Sequence, residues 1–331
     1  MLIVQLSTGF QISQALFVVV DTGVATCLEQ EGPTTVGDLA ERTGTRPDRL
    51  ARLLRALVPV GVLTLDEAGR FGVTEAGALL SETHPASQAR LVRMWMQINY
   101  LPFSELGHSV RTDTPGGERY LGAPFWEWLH RDPDRAQLFS QAMADITRGL
   151  RAGMFEGYRL PPGRVVADLG GADGSLLVEL LTRDRGDRSR RGILFDLPTT
   201  TPAATPVLTA AGLVDRVEVV GGDFFVAVPA ADVYVLAHVL HDWSDEESHR
   251  ILTTIARAAR SGARLLVIEA LLPSDATDSG LAGIFDLTML GLLPGQERTE
   301  QHYRDLLDGA GFTVERVVGT STPYSIVEAV L

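Results

Sequence analysis

The stretch Val165 to Gly174 limits what this chain can fold into more than any other: it reads V-V-A-D-L-G-G-A-D-G. An apolar, β-prone run ends on an acid, crosses a glycine-rich turn and opens into the helix-like segment Ser175 to Leu181. This is the layout of a nucleotide-type cofactor site. The run suits a parallel strand buried on both faces, the glycines let backbone come close to a ligand, and the helix N-terminus offers free N–H groups.

Downstream, strand-like runs recur at 192–196, 217–220, 232–236, 264–270, 312–318 and 324–330, with helical stretches expected between the first six runs of the series. That rhythm predicts an α/β domain with a mainly parallel seven-stranded sheet covered by helices. Only Gly319 to Pro323 separates the last two runs, so they are expected to pair as an antiparallel hairpin at the sheet edge. An antiparallel last strand is unusual for an NAD-binding sheet.

With 331 residues the chain has room for a second domain or an appended module ahead of this sheet. Residues 8 to about 30 read as one helix, whose wide stripe of Ile12, Ala15, Leu16, Val19 and Val20 suggests partners on two sides. Residues 34 to 80 give short helices, a glycine turn and a hairpin around Glu67 to Gly69, a winged helix-turn-helix pattern. Arg46, Arg49, Arg52 and Arg55 recur on its would-be recognition helix, as a DNA reader would need. The alternative is a solvated arginine face with Leu50, Leu53, Leu54 and Leu57 turned to the core, and the net charge of −13 favours it, because a phosphate-binding surface needs a basic excess. Residues 84 to 160 read as helical and rich in aromatic and methionine side chains, among them Phe139 and Met143, which serve either as core or as walls of a flat apolar pocket. Pro161-Pro162-Gly163 then marks a boundary. The expected division is 1–100, 101–160 and 161–331.

Absent residue types exclude several chemistries. The sequence contains no lysine, so a Schiff-base mechanism has no residue to work through. Cys27 is the one cysteine, which rules out an internal disulfide and a cysteine-based metal cluster. The apolar run Ala15 to Val20 stops at Asp21, far short of a membrane span, and no basic residue precedes Arg42, so a soluble cytoplasmic protein is expected.

Asp168, Asp196 and Asp223 fall at or just after three successive strand ends, the edge where open α/β sheets bind ligands. Asp196, 28 positions after Asp168, suits an acid receiving ribose hydroxyls. Asp223, in G-G-D-F-F, can accept from an adenine amino group while Phe224 packs on the ring; the competing role for such aspartates is to cap the next helix. The glycine turn lacks the G-x-G-x-x-G spacing and the basic end that a pyrophosphate or triphosphate calls for. A cationic nucleoside such as S-adenosylmethionine is easier to accommodate among these acids. Past the fourth strand come His238 and His241, in H-V-L-H-D-W-S-D-E-E; a metal site from His238, His241 and Asp242 matches no strong signature, and none is expected.

Six ordered motifs, A-D-L-G-G-A-D-G, F-D-L-P, G-D-F-F, H-V-L-H-D-W-S-D-E, V-I-E-A-L-L-P and G-Q-E-R-T-E-Q-H-Y-R-D-L-L-D-G-A-G-F, follow one another between residues 167 and 312. Together they resemble the S-adenosylmethionine-dependent O-methyltransferases of plant caffeate and bacterial natural-product type. The resemblance implies a Rossmann-like catalytic domain at 161–331, a winged-helix dimerisation domain at 1–100 that helps close the partner's site, and a helical linker at 101–160 contributing to the substrate pocket. It implies that His241 is the general base, flanked by Glu269 and Glu297. By the same resemblance Gly170, Asp196, Asp223, Phe224 and Trp243 contact the cofactor, and Asp168, Gly171, Leu197 and His238 are placed with them. Asp286, Met289 and Leu290 would face the acceptor, together with Phe139 and Met143. Ala237 stands where plant members often carry lysine, so that cofactor contact is lost here.

The chemistry agrees with the resemblance. Methyl transfer is an in-line displacement on a methyl that the sulfonium already activates, so most of the task is positioning. A phenol has a pKa near ~10, and a histidine within hydrogen-bond reach can take its proton as attack proceeds. Flanking carboxylates would fix the imidazole tautomer and stabilise its charged form. The expected function is O-methylation of an aromatic secondary metabolite by a homodimer. The alternatives are a relative that keeps the cofactor without transferring methyl groups, a ligand-sensing winged-helix regulator and an NAD-dependent oxidoreductase.

Overall fold

The computed structural model describes residues 2–183, 189–275 and 279–331. These form two compact units, Met1–Leu101 with Leu129–Gly149, and Pro102–Trp128 with Leu150–Leu331. The aromatic-rich stretch from 101 to 160 is thus shared between them.

In the first unit, the helix expected over 8 to about 30 is two helices, Gly9–Asp21 and Val24–Glu31, whose axes differ by 65°. Gly23, at φ +75°, takes a left-handed conformation that ends one helix and starts the next. The bend wraps Val19, Val20, Val24 and Leu28 into one core with Leu39, Leu50, Leu54 and Leu57. Thr35 caps the helix Val36–Thr43, Gly44 ends it, and Pro47 opens the helix Pro47–Leu57. On that last helix Leu53 is partly buried while all four arginines at 46, 49, 52 and 55 are exposed. The wing is a small antiparallel sheet of β1 (Thr34–Thr35), β2 (Leu63–Leu65) and β3 (Arg70–Val73), in the order β1-β3-β2. Among the described residues no single helix is long and apolar enough to cross a membrane.

Seven strands form the sheet of the second unit: β4 (Val165–Leu169), β5 (Arg191–Asp196), β6 (Val217–Gly221), β7 (Val233–Ala237), β8 (Arg264–Glu269), β9 (Thr313–Gly319) and β10 (Ser325–Val330). Their order is β6-β5-β4-β7-β8-β10-β9, parallel except for β10, which runs antiparallel to both neighbours. Side chains alternate between two cores, as a sheet covered on both faces requires. Ala167, Leu169, Leu236 and Val267 meet the helices Asp245–Ala258 and Glu300–Gly309, while Val166, Val235 and Ile268 meet the helix Ser175–Arg183.

Two expectations fail locally. Residues 151–160 carry turns in place of a helix. No helix separates β6 from β7 either, because Asp223 turns the chain by accepting the Phe225 N–H at 2.8 Å and Pro229 lacks the N–H a helix needs.

Strand order reverses at β4, which pairs with β5 on one side and β7 on the other. The crevice at the C-terminal ends of β4 and β7 is therefore where an open sheet accepts a ligand. Leu236 on β7 is fully buried. Leu236→Ala should lower unfolding free energy by about 2–5 kcal/mol in urea titrations; a loss below ~1 kcal/mol would remove β7 from the core.

Candidate active site

At the switch point, short-range signals fix the geometry. β7 ends at Ala237, and His238 turns the chain at φ +56° while its N–H donates to Ile268 O at 3.1 Å. A 3-10 turn, Leu240–Asp242, carries His241. Ser244 then caps the helix Asp245–Ala258 in a reciprocal capping box with Glu247. His241 is thus held between a strand end and a helix cap.

Three carboxylates surround its ring. The Nδ1–H donates to Glu297 Oε1 at 2.7 Å, Glu269 Oε2 lies 3.7 Å from the same nitrogen, and Asp242 Oδ1 stands 3.5 Å from Nε2. Exposure is 8% at His241, 0% at Glu269 and 2% at Glu297. Burial works against the imidazolium, but the negative charges of Glu269, Glu297 and Asp242 outweigh it and raise the His241 pKa well above its ordinary value. The carboxyls respond in kind: burial lifts both Glu269 and Asp242 to about 7, with the His241 charge pulling the other way. Proton affinity is therefore shared within one cluster.

Backbone and side-chain contacts hold this turn on several sides. Glu269 Oε1 accepts the N–H groups of Val239 and Leu240 at 3.1 and 3.0 Å. Arg298, fully buried, donates to the carbonyls of Leu240 and Trp243, each at 2.7 Å. Gly295 lies directly against the turn, where an added Cβ would sit 1.9 Å from His241 O. No other residue fits there without displacing the histidine's own peptide. Thr299 caps the helix Glu300–Gly309, so G-Q-E-R is the extended entry to a helix. Asp286 Oδ1 accepts the Glu297 N–H at 2.9 Å, which gives this expected acceptor contact a place in orienting an acid. Met289 is buried on the same helix, and Leu290 is 40% exposed.

On the β4 side, Gly170 takes φ +73°, and a Cβ there would come within 2.9 Å of Val239. The glycine turn and the histidine turn are thus in contact. Asp196 Oδ2 accepts the Ala172 N–H at 2.9 Å and its Oδ1 accepts the Leu197 N–H at 2.7 Å, tying the end of β5 to the glycine turn. Asp168 is buried beneath Gly171, its Oδ2 without a hydrogen-bond partner. Burial lifts its pKa to about 7, against the pull of Arg151. His238 is neutral, its pKa lowered to about 3 by burial, and its ring meets Tyr324 edge-on at 4.2 Å. Phe224, Phe225 and Trp243 form an aromatic corner, with Trp243 perpendicular to Phe224 at 5.9 Å and to Phe225 at 4.8 Å. Phe139 and Met143 lie on the helix Pro133–Leu150 and are not part of these contacts.

The arrangement has the parts for binding a cationic nucleoside: a close-approach glycine turn, a buried carboxyl with an orphaned oxygen and an aromatic corner. Atoms of His238, His241 and Glu269 also lie within 4.8 Å of one another, the proximity a metal ion would need. Here, however, His241 Nδ1 is engaged by Glu297 and Glu269 Oε1 by two amides.

Comparison with known proteins identifies the family. An O-methyltransferase domain model matches residues 103–313 and an O-methyltransferase dimerisation domain model matches residues 4–83. The chain belongs to the O-methyltransferase family. The phenazine O-methyltransferase PhzM of Lysobacter antibioticus is 36% identical to it, covering 99% of this chain and 95% of the relative. The crystal structure of LaPhzM superposes with a TM-score of 0.92 at 36% identity, covering 99% of this chain and 98% of that one. NcsB1, an O-methyltransferase from neocarzinostatin biosynthesis solved with S-adenosylmethionine and 2-hydroxy-5-methyl naphthoic acid, gives a TM-score of 0.82 at 35% identity, covering 97% and 96% of the two chains.

Four residues of this O-methyltransferase site escape sequence reasoning in the roles the structure gives them. Asp242 stands in H-D-W and Arg298 in Q-E-R-T, both inside recognised motifs, but nothing in the pattern says that one faces Nε2 and the other grips carbonyls. Gly295 opens the G-Q-E-R-T motif, but its packing against the histidine turn, like the contact of Tyr324 with His238, carries no signal before the chain is folded.

Raised proton affinity at His241 gives a pH prediction. On the expected role of His241 as general base, turnover needs the ring deprotonated at Nε2, so its acidic limb should lie above pH ~6.5, the ordinary histidine value. Glu297→Gln removes a charge that raises this pKa, so the limb should move to lower pH while the plateau falls. A limb that stays in place in a kcat–pH profile would detach Glu297 from the base.

Proposed function

We propose that this O-methyltransferase methylates a hydroxyl of a small aromatic secondary metabolite, with S-adenosylmethionine as donor and His241 as general base. The observation that carries the reading is the 2.7 Å contact from His241 Nδ1 to the buried Glu297 carboxylate, which leaves Nε2 as the proton-accepting nitrogen. When bound, S-adenosylmethionine supplies a methyl group activated by a positive sulfonium. This chain's residues do the rest. Gly170 and Gly171 allow close approach, and Asp168, Asp196, Leu197, Asp223, Phe224, His238 and Trp243 are assigned to the cofactor side. Asp168 offers a carboxyl whose Oδ2 is unpartnered on the cofactor side, and the edge-on Phe224–Trp243 corner suits a flat purine. Asp286, Met289 and Leu290 are assigned to the acceptor side.

His241 Nε2 takes the hydroxyl proton as the oxygen attacks. Glu269 and Glu297 stabilise the imidazolium that forms, narrowing the gap to a phenol of pKa near ~10. Contact among all three residues favours transfer over cofactor binding without turnover. The acceptors named for the relatives, a phenazine and a naphthoic acid, are polycyclic aromatics, and that class is assigned here. A homodimer through residues 4–83 is assigned on the dimerisation-domain match and on the apolar Leu2, Ile3, Val4 and Leu6 left exposed on the short helix Leu2–Ser7.

Incubation with isotopically labelled S-adenosylmethionine and a panel of hydroxylated naphthoates, anthracyclines and phenazines should give labelled products by mass spectrometry, with S-adenosylhomocysteine in equal amount. A panel without labelled product would count against the acceptor class. His241→Ala should lower turnover by roughly 10²–10⁴ while the cofactor Kd stays within a few-fold. Undiminished turnover would remove His241 as the base.

A further inference from the structure

We infer that Arg298 is a positioning residue for methyl transfer, clamping the turn that carries His241. The inference rests on the proposed role of His241 as base. Arg298 is fully buried, yet its one ion-pair partner, Asp245, is 49% exposed at the side chain. Its main contacts are elsewhere: the carbonyls of Leu240 and Trp243 at 2.7 Å each, one on either side of His241 in sequence. Longer contacts reach Ser248 Oγ at 3.3 Å and Gln296 O at 3.4 Å.

Within its own turn the Leu240 carbonyl meets the Trp243 N–H at a long 3.3 Å, and the Trp243 carbonyl lies past the end of the turn, so both have room for a second, shorter donor. A planar guanidinium can meet both carbonyls at once in a fixed relative direction, whereas an ammonium is a point charge without that fork. Arg298 therefore fixes the carbonyl side of the turn while Glu269 fixes its N–H side. The neighbouring Glu297 simultaneously holds the imidazole, so consecutive residues set the backbone and the ring of the same histidine. Asp245 closes the far end: its Oδ1 takes the Arg298 Nε–H at 2.9 Å and its Oδ2 lies 2.9 Å from His302 Nε2. The conserved charge of an Arg298→Lys variant would leave the fork, and not the cation, as the part removed.

The test combines Arg298→Lys, His241→Ala and the double variant, with 1,4-dihydroxy-2-naphthoic acid as probe acceptor alongside the best acceptor from the labelling panel. Arg298→Lys should lower kcat at least tenfold, with cofactor Kd and acceptor KM within threefold. In the His241→Ala background the same substitution should lower kcat less than twofold, because its effect passes through His241. NMR of protein carrying ¹³Cε1-labelled histidine, which needs no acceptor, should show the His241 resonance displaced by Arg298→Lys. A tenfold loss repeated in the His241→Ala background, or an unmoved His241 resonance, would reduce Arg298 to a structural role. If Arg298→Lys does not fold, Asp245→Asn replaces it: a kcat at least threefold lower with the His241 resonance moved supports the clamp, and wild-type values overturn it. Should His241→Ala itself leave turnover intact, the base assignment fails, while the NMR readout still decides whether Arg298 positions the ring.

Discussion

Burial and charge pull the His241 imidazole in opposite directions, and the rest of the site exists to make charge win. Withdrawn from water, a histidine prefers to be neutral. Glu269, Glu297 and Asp242 reverse that preference, but they are themselves withdrawn from water and gain nothing by ionising unless something answers them. The answer is local: two backbone N–H groups for Glu269, the ring itself for Glu297, and the positive charge of His241 beside Glu269 and Asp242. Were any member removed, the others would be left as buried groups without a counterpart.

The sheet topology is what allows such a cluster to form from distant parts of the chain. β7 delivers the histidine, β8 delivers Glu269 at its last residue, and the entry to the helix Glu300–Gly309 delivers Glu297 and Arg298. Because strand order reverses at β4, the glycine turn opens beside the histidine turn, close enough that Gly170 and Val239 nearly touch. The glycine turn and the histidine turn are thus two sides of one crevice.

Much of this was legible before folding. All seven strands of the large sheet were placed within a residue or two of their observed ends, because buried parallel strands are written as continuous apolar runs between turn residues. The antiparallel end followed from a connection too short for a crossover. What failed was finer. A helix over 8–30 satisfied its apolar stripe throughout, and only the left-handed Gly23 broke it. A helix between β6 and β7 was inferred from rhythm, whereas Asp223 and Pro229 made a turn. In the site, the motifs marked His241, Glu269 and Glu297, since acid–base chemistry demands particular residue types. For Asp286, expected to face the acceptor, the structure adds a contact the motifs do not mark, the Glu297 N–H donated to its Oδ1. Groups that act on backbone, such as Arg298 and Gly295, write no periodic signal because their partners are peptide atoms common to every residue.

One feature of the sheet bears on how the protein comes into being. β10 lies between β8 and β9, with Ser325 opposite Glu269. During synthesis the chain emerges from its N-terminal end, so β4 to β8 can assemble while the outer edge of β8 stays bare. That edge is a row of unpaired peptide groups on an apolar strand, the kind of surface that recruits other strands. It closes only after residue 330 has left the ribosome, and β9, made earlier, must hold away until β10 slides in beside it. A ribosome stalled short of β10 therefore presents a nascent chain whose glycine turn is complete but whose Glu269 sits at the end of an open edge, a species for chaperones to guard.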